Sequence, residues 1–450
     1  MCSAQVARSF PRSSLSAEFQ SVPFDSAHAR EILRALPEKC AVFALYGEAA
    51  NAEPYIGRTP NLRGRLERLL IPSPRHPKRL QLAGRVRRIE WRLTGSDFES
   101  LLLQFDLLQK VYGAKALERM HLGAPSFVRF LGGNPYPRVT VTNRPSQKEA
   151  DWAYGPFASR AAAERFADEA LKLFLLRRCT DDLHPDPSHP GCVYSEMKMC
   201  LAPCYKGCSD ERYVEESAAV ERFLATRGES KLVQLRAARD EASANLEFES
   251  AAALHAQVQK AEAVRALAPE LVRPMSQLRA VVLQASAQPD EVAVFLYEGG
   301  RLRGPVAFST LGMRIQNEQS GSSSLFAQPM ALEAVPEDRD QGPGTGDQKD
   351  SEEATGNREQ DGAAARKAAR TMLESRMDGV LAQLSSNHEP PNATTRQGHL
   401  ALLKRWYYRP EAKRPGEMFF PDEEGGWPLR ALLRGVGRIA AKRVTAASAS

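Results

Sequence analysis

Residues 40–46, CAVFALY, form a short unbroken apolar run, and beyond the polar loop GEAANAE a second run ends in YIG. Runs of this length bounded by turn residues predict two strands, here a hairpin that feeds a helix. In LRGRLERLL, Leu62, Leu66, Leu69 and Leu70 share one helical face while Arg63, Glu67 and Arg68 lie outside it, and Asn61 stands where an N-cap belongs. VRRIEWRLT predicts a third strand and DFESLLLQFDLLQKVYG an amphipathic helix, which together make a compact mixed α/β unit over residues 38–125. Residues 1–37 scatter Arg, Pro and Ser without an apolar h-region, so they are expected to be a disordered tail and not a secretory signal.

Residues 126–227 read as a proline-marked connector, with a strand at YPRVTVTN, a turn at AYGPF, the helix RAAAERFADEALKLFLLRRC and a cysteine-rich segment. Residues 228–264 predict two short helices broken near Asn245 and Leu246, an αα-hairpin too small to be stable alone. LRAVVLQ, EVAVFLYEGG and RLRGPVAFSTLG alternate like a meander, so residues 265–316, with 399–440, are expected to form a β-containing domain. Residues 317–398 are rich in Gln, Ser, Gly, Asp and Glu and read as a low-complexity linker with a possible helix.

Composition sharpens this picture. The 450 residues exceed what one hydrophobic core usually organises, so the fold class expected is a multidomain α+β protein. No run approaches the roughly 18 apolar residues of a membrane span, so no membrane partner is expected and the cytoplasm is the expected compartment. The net charge of +6 is mild, but its distribution is not. Between Tyr55 and Arg92 eleven Lys/Arg face two Glu, whereas residues 333–361 carry ten Asp/Glu against three basic residues. A basic module, suited to a phosphate backbone, is thus paired with an acidic linker.

Five of the seven cysteines fall between 179 and 208, with the spacing C-x12-C-x7-C-x3-C-x3-C. A cytoplasmic chain rarely keeps structural disulfides, so metal ligation is favoured over bridging. Four thiolates suit either an iron–sulfur cluster or tetrahedral zinc, and spacing alone does not separate the two. His184 and His189 in the same loop add a further zinc possibility.

These segments, in this order, resemble the amino-terminal half of the C subunit of bacterial excinuclease ABC, the UvrC family. Tyr55-Ile56-Gly57 resembles the second half of a GIY-YIG nuclease signature, with Ala41-Val42-Phe43 in the place of its first half. YPRVTVTN, Tyr154-Gly155-Pro156-Phe157, LFLLRRC and CVYSEMKMCLAPC resemble the family's connector and four-cysteine region. NLEFESAAALHAQV resembles the UVR motif, and RLRGPVAFSTLG and LLKRWYY resemble the segment leading towards the family's second nuclease domain. The RNase H-like nuclease and the helix-hairpin-helix pair find no counterpart here, which the resemblance reads as loss of 5′-side incision.

The resemblance also assigns residues. Tyr55 matches the signature tyrosine, Arg65 the arginine that stabilises phosphoryl charge, and Arg58 stands where the family usually has lysine. With Arg63 and Arg68 these arginines form the expected DNA contact, since guanidinium grips phosphate through paired hydrogen bonds. Cys179, Cys192, Cys200 and Cys204 match the cluster ligands, with a 4Fe–4S cluster expected and zinc the alternative. Phe248, at the turn of the hairpin, is the expected anchor for a UvrB-like helicase subunit.

Three positions depart from the pattern. Phe43 and Leu69 replace tyrosines, and Gln104 takes the place of the metal-binding glutamate of the helix FESLLLQFDLL. An amide is a poor ligand for a hard cation such as magnesium or manganese. The helical neighbours of Gln104 are Ser100, Leu101, Leu107 and Leu108, while Asp97 lies roughly 10 Å along the axis and Asp106 points away. The resulting expectation is a DNA-binding repair protein whose 3′-side incision site is degenerate. A working GIY-YIG endonuclease and a UvrB adaptor that contacts no DNA are the two alternatives.

Overall fold

The computed structural model describes residues 19–49, 52–72, 82–311, 313–314, 328–329, 353–386 and 390–448. Its first sheet combines β1 (Gln20–Pro23), β2 (Ala41–Gly47), β3 (Tyr55–Thr59) and β4 (Val86–Leu93) in the order β1-β4-β2-β3, all antiparallel. Two helices, α1 (Ala29–Arg34) and α2 (Leu62–Leu70), cover one face, burying Leu33, Leu62, Leu66, Leu69 and Leu70 against Phe43, Leu45 and Ile89. The other face meets α3 (Asp97–Tyr112), whose Leu107 and Leu103 pack on Val42 and Ile56. Residues 20–36, expected in the disordered tail, instead complete this domain: Phe24, Leu33 and Leu36 are buried, and β1 pairs with β4 through Val22 and Ile89. The sequence reading missed them because a four-residue strand and a six-residue helix are too short to show a period. Residues 1–18 of that tail lie outside the described residues.

A short α4 (Ala116–Arg119) leads to the middle sheet, β6-β5-β7-β8, built from β5 (Ser126–Phe130), β6 (Val139–Thr142), β7 (Ala153–Phe157) and β8 (Arg273–Pro274). The AYGPF segment, expected as a turn, is strand β7, and its Gly155 is held so close to Phe127 that an added Cβ would sit 2.6 Å from the ring. Around this sheet pack α5 (Arg160–Leu171) and α7 (Asp210–Ala225), and between them in the cysteine segment lies the short α6 (Val193–Glu196), which buries no residue. Next come α8 (Glu229–Ala244) and α9 (Phe248–Ala266), separated where Leu246 adopts a left-handed φ of 62°.

The third sheet takes β9 (Ala280–Ala285), β10 (Glu291–Glu298) and β11 (Arg301–Ser309) as the expected meander. A two-residue ladder pairs β12 (Met313–Arg314) with β13 (Gln328–Pro329), α10 (Glu353–Ser385) and α11 (Ala393–Tyr407) follow, β14 (Glu417–Phe419) completes the sheet as β11-β10-β9-β14, and α12 (Leu429–Ser448) ends the chain. Met377, Leu381, Leu432 and Val436 from α10 and α12 cover one face. Much of the expected linker is therefore the 33-residue α10, whose later turns are core, whereas residues 330–352 lie outside the described residues. Residues 273–274 join the middle sheet, so the β-containing domain begins later than the expected 265.

The opposite face of the third sheet does not close on itself. Phe98, Leu101, Leu102 and Phe105 of α3 enter one core with Val282 and Phe295 of the sheet and Leu400, Leu403 and Trp406 of α11. The first and third domains are thus joined through shared apolar burial, not strung on a flexible linker.

Candidate nucleic-acid site and cysteine centre

Helix α2 starts cleanly because the Asn61 side chain accepts from Gly64 N at 2.8 Å, satisfying one of the free amides of the first turn. Its leucines face inwards, which leaves Arg63, Arg65 and Arg68 on the outer and lateral surface. Arg63 is engaged: its Nε donates to Leu36 O at 2.8 Å and its Nη1 pairs with Glu38 at 2.5 Å. Arg68 is exposed and, among the described residues, donates only to Gly64 O of its own helix, at 3.0 Å. Arg65 Nη2 donates to the Tyr55 hydroxyl at 3.4 Å, so the two residues matched to the nuclease signature do meet.

The register of β2 on β3 sets which residues join them. Phe43 opposes Gly57 and Leu45 opposes Tyr55, so all four point towards α2. Phe43 is fully buried, its ring 6.1 Å from that of Tyr55 and lying over Gly57, where an added Cβ would approach Phe43 Cζ to 2.8 Å. Leu69 is buried in the same core. Positions 43 and 69 therefore contribute packing to this face and bring no hydroxyl to it.

Ile56 and Arg58 point to the opposite face of β3, towards α3. Arg58 thus parts from Tyr55 and Arg65: its Nη1 pairs with Asp97 Oδ1, and Arg409 Nη2 takes the other oxygen of that carboxylate at 2.8 Å. Helix α3 runs alongside β3, because Tyr112 at its far end donates to Pro54 O at 2.8 Å. Gln104, half-buried, lies two turns from Asp97 on the same stripe. The one acid on that stripe is neutralised by two guanidiniums, one of them from the third domain. Asp106 is turned away, with its Oδ1 3.1 Å from His399 Nε2. A hard divalent cation prefers carboxylate oxygens, so this stripe does not fit a magnesium or manganese ion.

Two residues outside the sequence reading matter here. Arg409 carries no local signal, since its partner is 312 positions away. Glu99 is buried in the first turn of α3, where its Oε2 accepts from Gly95 N at 2.8 Å; its place beside a capping serine, Ser96, was the available signal.

The surplus of positive charge over residues 55–92 is partly answered from outside that window. Glu38, Glu48 and Asp97 pair with Arg63, Arg87 and Arg58, and Arg88 stacks over Tyr46 at 4.3 Å while facing buried Glu90. Arg75, Lys78 and Arg79 lie outside the described residues.

In the cysteine segment, burial pushes the Cys200 thiol up to about 11, helped by the nearness of Cys179, Cys192 and Cys204. Burial raises Cys192 too, but amide and hydroxyl donors from Ser195, the Tyr194 amide and a hydrogen bond from Cys204 outweigh it and hold the thiol below its usual range. Cys208 feels Asp210 and Arg212 instead, after burial as the main influence. Donors already aim at sulfur: Ala202 N stands 3.3 Å from Cys200 Sγ, on a left-handed residue with φ of 57°. Among the described residues no three His, Cys, Asp or Glu side chains stand close enough to hold one metal ion. His189 Nδ1 instead accepts from Gly191 N at 3.1 Å.

The α8–α9 hairpin has a small core of Leu232, Leu235, Val258 and Ala261, braced by Arg236 on Glu262 at 2.7 Å. Phe248 takes no part in it. It is 66% exposed at the tip, next to Leu246 at 71%.

Comparison with known proteins points to the same family. Residues 127–224 match the family model of the UvrC/Cho excinuclease middle domain. The UvrABC system protein C of Ruminiclostridium cellulolyticum is 27% identical over 300 residues, 65% of this chain and 48% of that protein. Its counterpart in Symbiobacterium thermophilum is 29% identical over 303 residues, 66% and 46%, and that of Escherichia fergusonii 28% over 238 residues, 52% and 38%. The kinship with the UvrC family read from the motifs is thereby borne out, and the chain spans about half the length of the first of these relatives. No solved structure matches. Among the described residues no helix is long and apolar enough to cross a membrane.

Proposed function

We propose that this UvrC-like chain acts in nucleotide excision repair, binding a DNA strand through its first domain and docking on a UvrB-like helicase subunit, with 3′-side incision lost. The observation that carries the reading is the division of charge around β3. Arg65 keeps a guanidinium beside Tyr55 with no carboxylate partner among the described residues, while the acid next to Arg58 is taken by two cations. Such a site attracts and orients phosphate, yet offers a divalent ion only the amide of Gln104 on that stripe. The exposed Phe248 and Leu246 support docking, since an aromatic left outside its own hairpin core is suited to anchor a partner.

A plasmid-nicking assay with magnesium or manganese tests the cleavage half: binding without nicking is expected, and nicking abolished by Arg65→Ala would overturn it. Buried Glu99 favours the second reading, a working endonuclease, because it is a carboxylate on the same helix. Loss of nicking on Glu99→Gln would establish that reading. The adaptor reading predicts no DNA binding, whereas phosphate contacts release counterions and give an affinity that depends steeply on salt.

Cys179, Cys192, Cys200 and Cys204 would hold an iron–sulfur cluster, with zinc as the alternative. The donor set supports this: four thiols within electrostatic range, with an amide directed at the Cys200 sulfur. When bound, the group staples α6 and its loop to the middle domain and, as a cluster, supplies a one-electron couple.

A further inference from the structure

Arg177 is one of the largest side chains in the protein to be fully buried, at 1% exposure. Its Nε donates to Tyr136 O and its Nη1 to Asp181 O, each at 2.9 Å, and Nη1 also stands 3.6 Å from Cys179 Sγ. Its Nη2 is buried without a hydrogen-bond partner, and among the described residues no carboxylate lies within ion-pair distance of the guanidinium. The backbone of the same residue is fixed by Tyr213, whose hydroxyl lies 3.3 Å from Arg177 N and donates to Pro137 O at 2.8 Å.

A guanidinium stays ionised under all ordinary conditions, and leaving one buried without an anion costs several kcal/mol. Two carbonyl dipoles offset part of that. The remaining negative charge must come from something within reach of Nη1 and Nη2, and the nearest candidate is the thiol set that begins at Cys179. Four thiolates around iron or zinc are anionic overall, so the cation and the centre complete each other's electrostatics.

We infer that Arg177 is the built-in countercharge and hydrogen-bond donor of the four-cysteine centre, positioning Cys179 and stabilising the anionic, metal-loaded state. This rests on the reading of Cys179, Cys192, Cys200 and Cys204 as ligands, and goes beyond it by assigning a residue that carries no ligand atom. The sign of its effect follows: a fixed positive charge favours the more negative state of the centre, so it raises the potential of an iron–sulfur couple.

The test uses the full chain purified anaerobically as wild type, Arg177→Lys and Arg177→Gln, with iron, sulfide and zinc measured per chain, circular dichroism to confirm folding, and chelator-driven metal loss. Wild type carries metal. Arg177→Gln is expected to lose most of it, or to keep a cluster with a lower potential, each tenfold weakening of the reduced state reading as about 59 mV for one electron. Arg177→Lys keeps the charge but not the planar fork, and should release metal at least tenfold faster than wild type while still folding. Wild-type metal content, potential and release rate in both variants would overturn the assignment; if Arg177→Gln does not fold, an unchanged release rate in Arg177→Lys does so alone. A wild type free of iron, sulfide and zinc defeats the cysteine reading itself, and the role of Arg177 with it.

Discussion

Arg409 reaches Asp97 from 312 residues away, its Nη2 2.8 Å from one carboxylate oxygen while Arg58 holds the other. The three side chains tie β3, α3 and the end of α11 together at the edge of a shared apolar core. Both Arg409 and Asp97 are only partly shielded, at 26% and 35% exposure, so solvent screens the pair. Arg409→Ala is therefore expected to cost about 1 kcal/mol or less, read as a small fall in the urea midpoint at constant slope.

The same junction has a steric test with a larger effect. An added Cβ at Gly398 of α11 would fall 2.0 Å from Phe105 Cζ on α3, with no flexible group to yield. Gly398→Ala should destabilise the protein by about 1–3 kcal/mol through overpacking. An unchanged thermal midpoint would show that α3 and α11 are not in contact in solution.

DNA binding should divide the arginines that sequence alone grouped together. Arg65 and Arg68 have no carboxylate partner among the described residues, whereas Arg58 and Arg63 are already paired. Arg65→Ala should lower the slope of log affinity against log salt by about 0.9, and Arg63→Ala by much less, in duplex binding titrations over a salt series. Equal slopes for the two variants would contradict the division.

Restoring an acid on α3 tests the degenerate metal stripe. Gln104→Glu is expected to create manganese-dependent nicking where wild type has none, because a carboxylate replaces the amide two turns from Asp97. Nicking by wild type that survives in Gln104→Ala but vanishes in Glu99→Gln would transfer the metal role to Glu99 and end the inactive reading.

At the hairpin, binding and stability should separate. Phe248→Ala is expected to leave the thermal midpoint unchanged, since the ring lies outside the hairpin core, yet to weaken capture of a UvrB-like subunit by tenfold or more. Leu232→Ala, fully buried, should cost about 2–5 kcal/mol. Undiminished capture by Phe248→Ala, measured with purified partner, would remove the tip from the interface.

Much of this protein was legible as local pattern. Short apolar runs marked β2 and β3, alternation and helical spacing marked α2, α3 and the β9–β11 meander, and the break at Asn245 and Leu246 separated α8 from α9, because each depends on neighbours within a turn or a pleat. The five clustered cysteines were equally visible, since their spacing is a property of the chain. Less legible were β1 and α1, too short to show a period, and β7, whose Tyr-Gly-Pro-Phe sequence reads as a turn until Phe127 packs against the glycine.

What tertiary structure alone decided is which charge meets which. Arg58 and Arg65 look equivalent along the chain, yet the pleat of β3 sends one to Asp97 and leaves the other beside Tyr55. Arg177 looks like one more basic residue before a cysteine until burial strips it of water and of carboxylates. Coulomb interactions and desolvation depend on distance and surroundings in space, and segments hundreds of residues apart supply both.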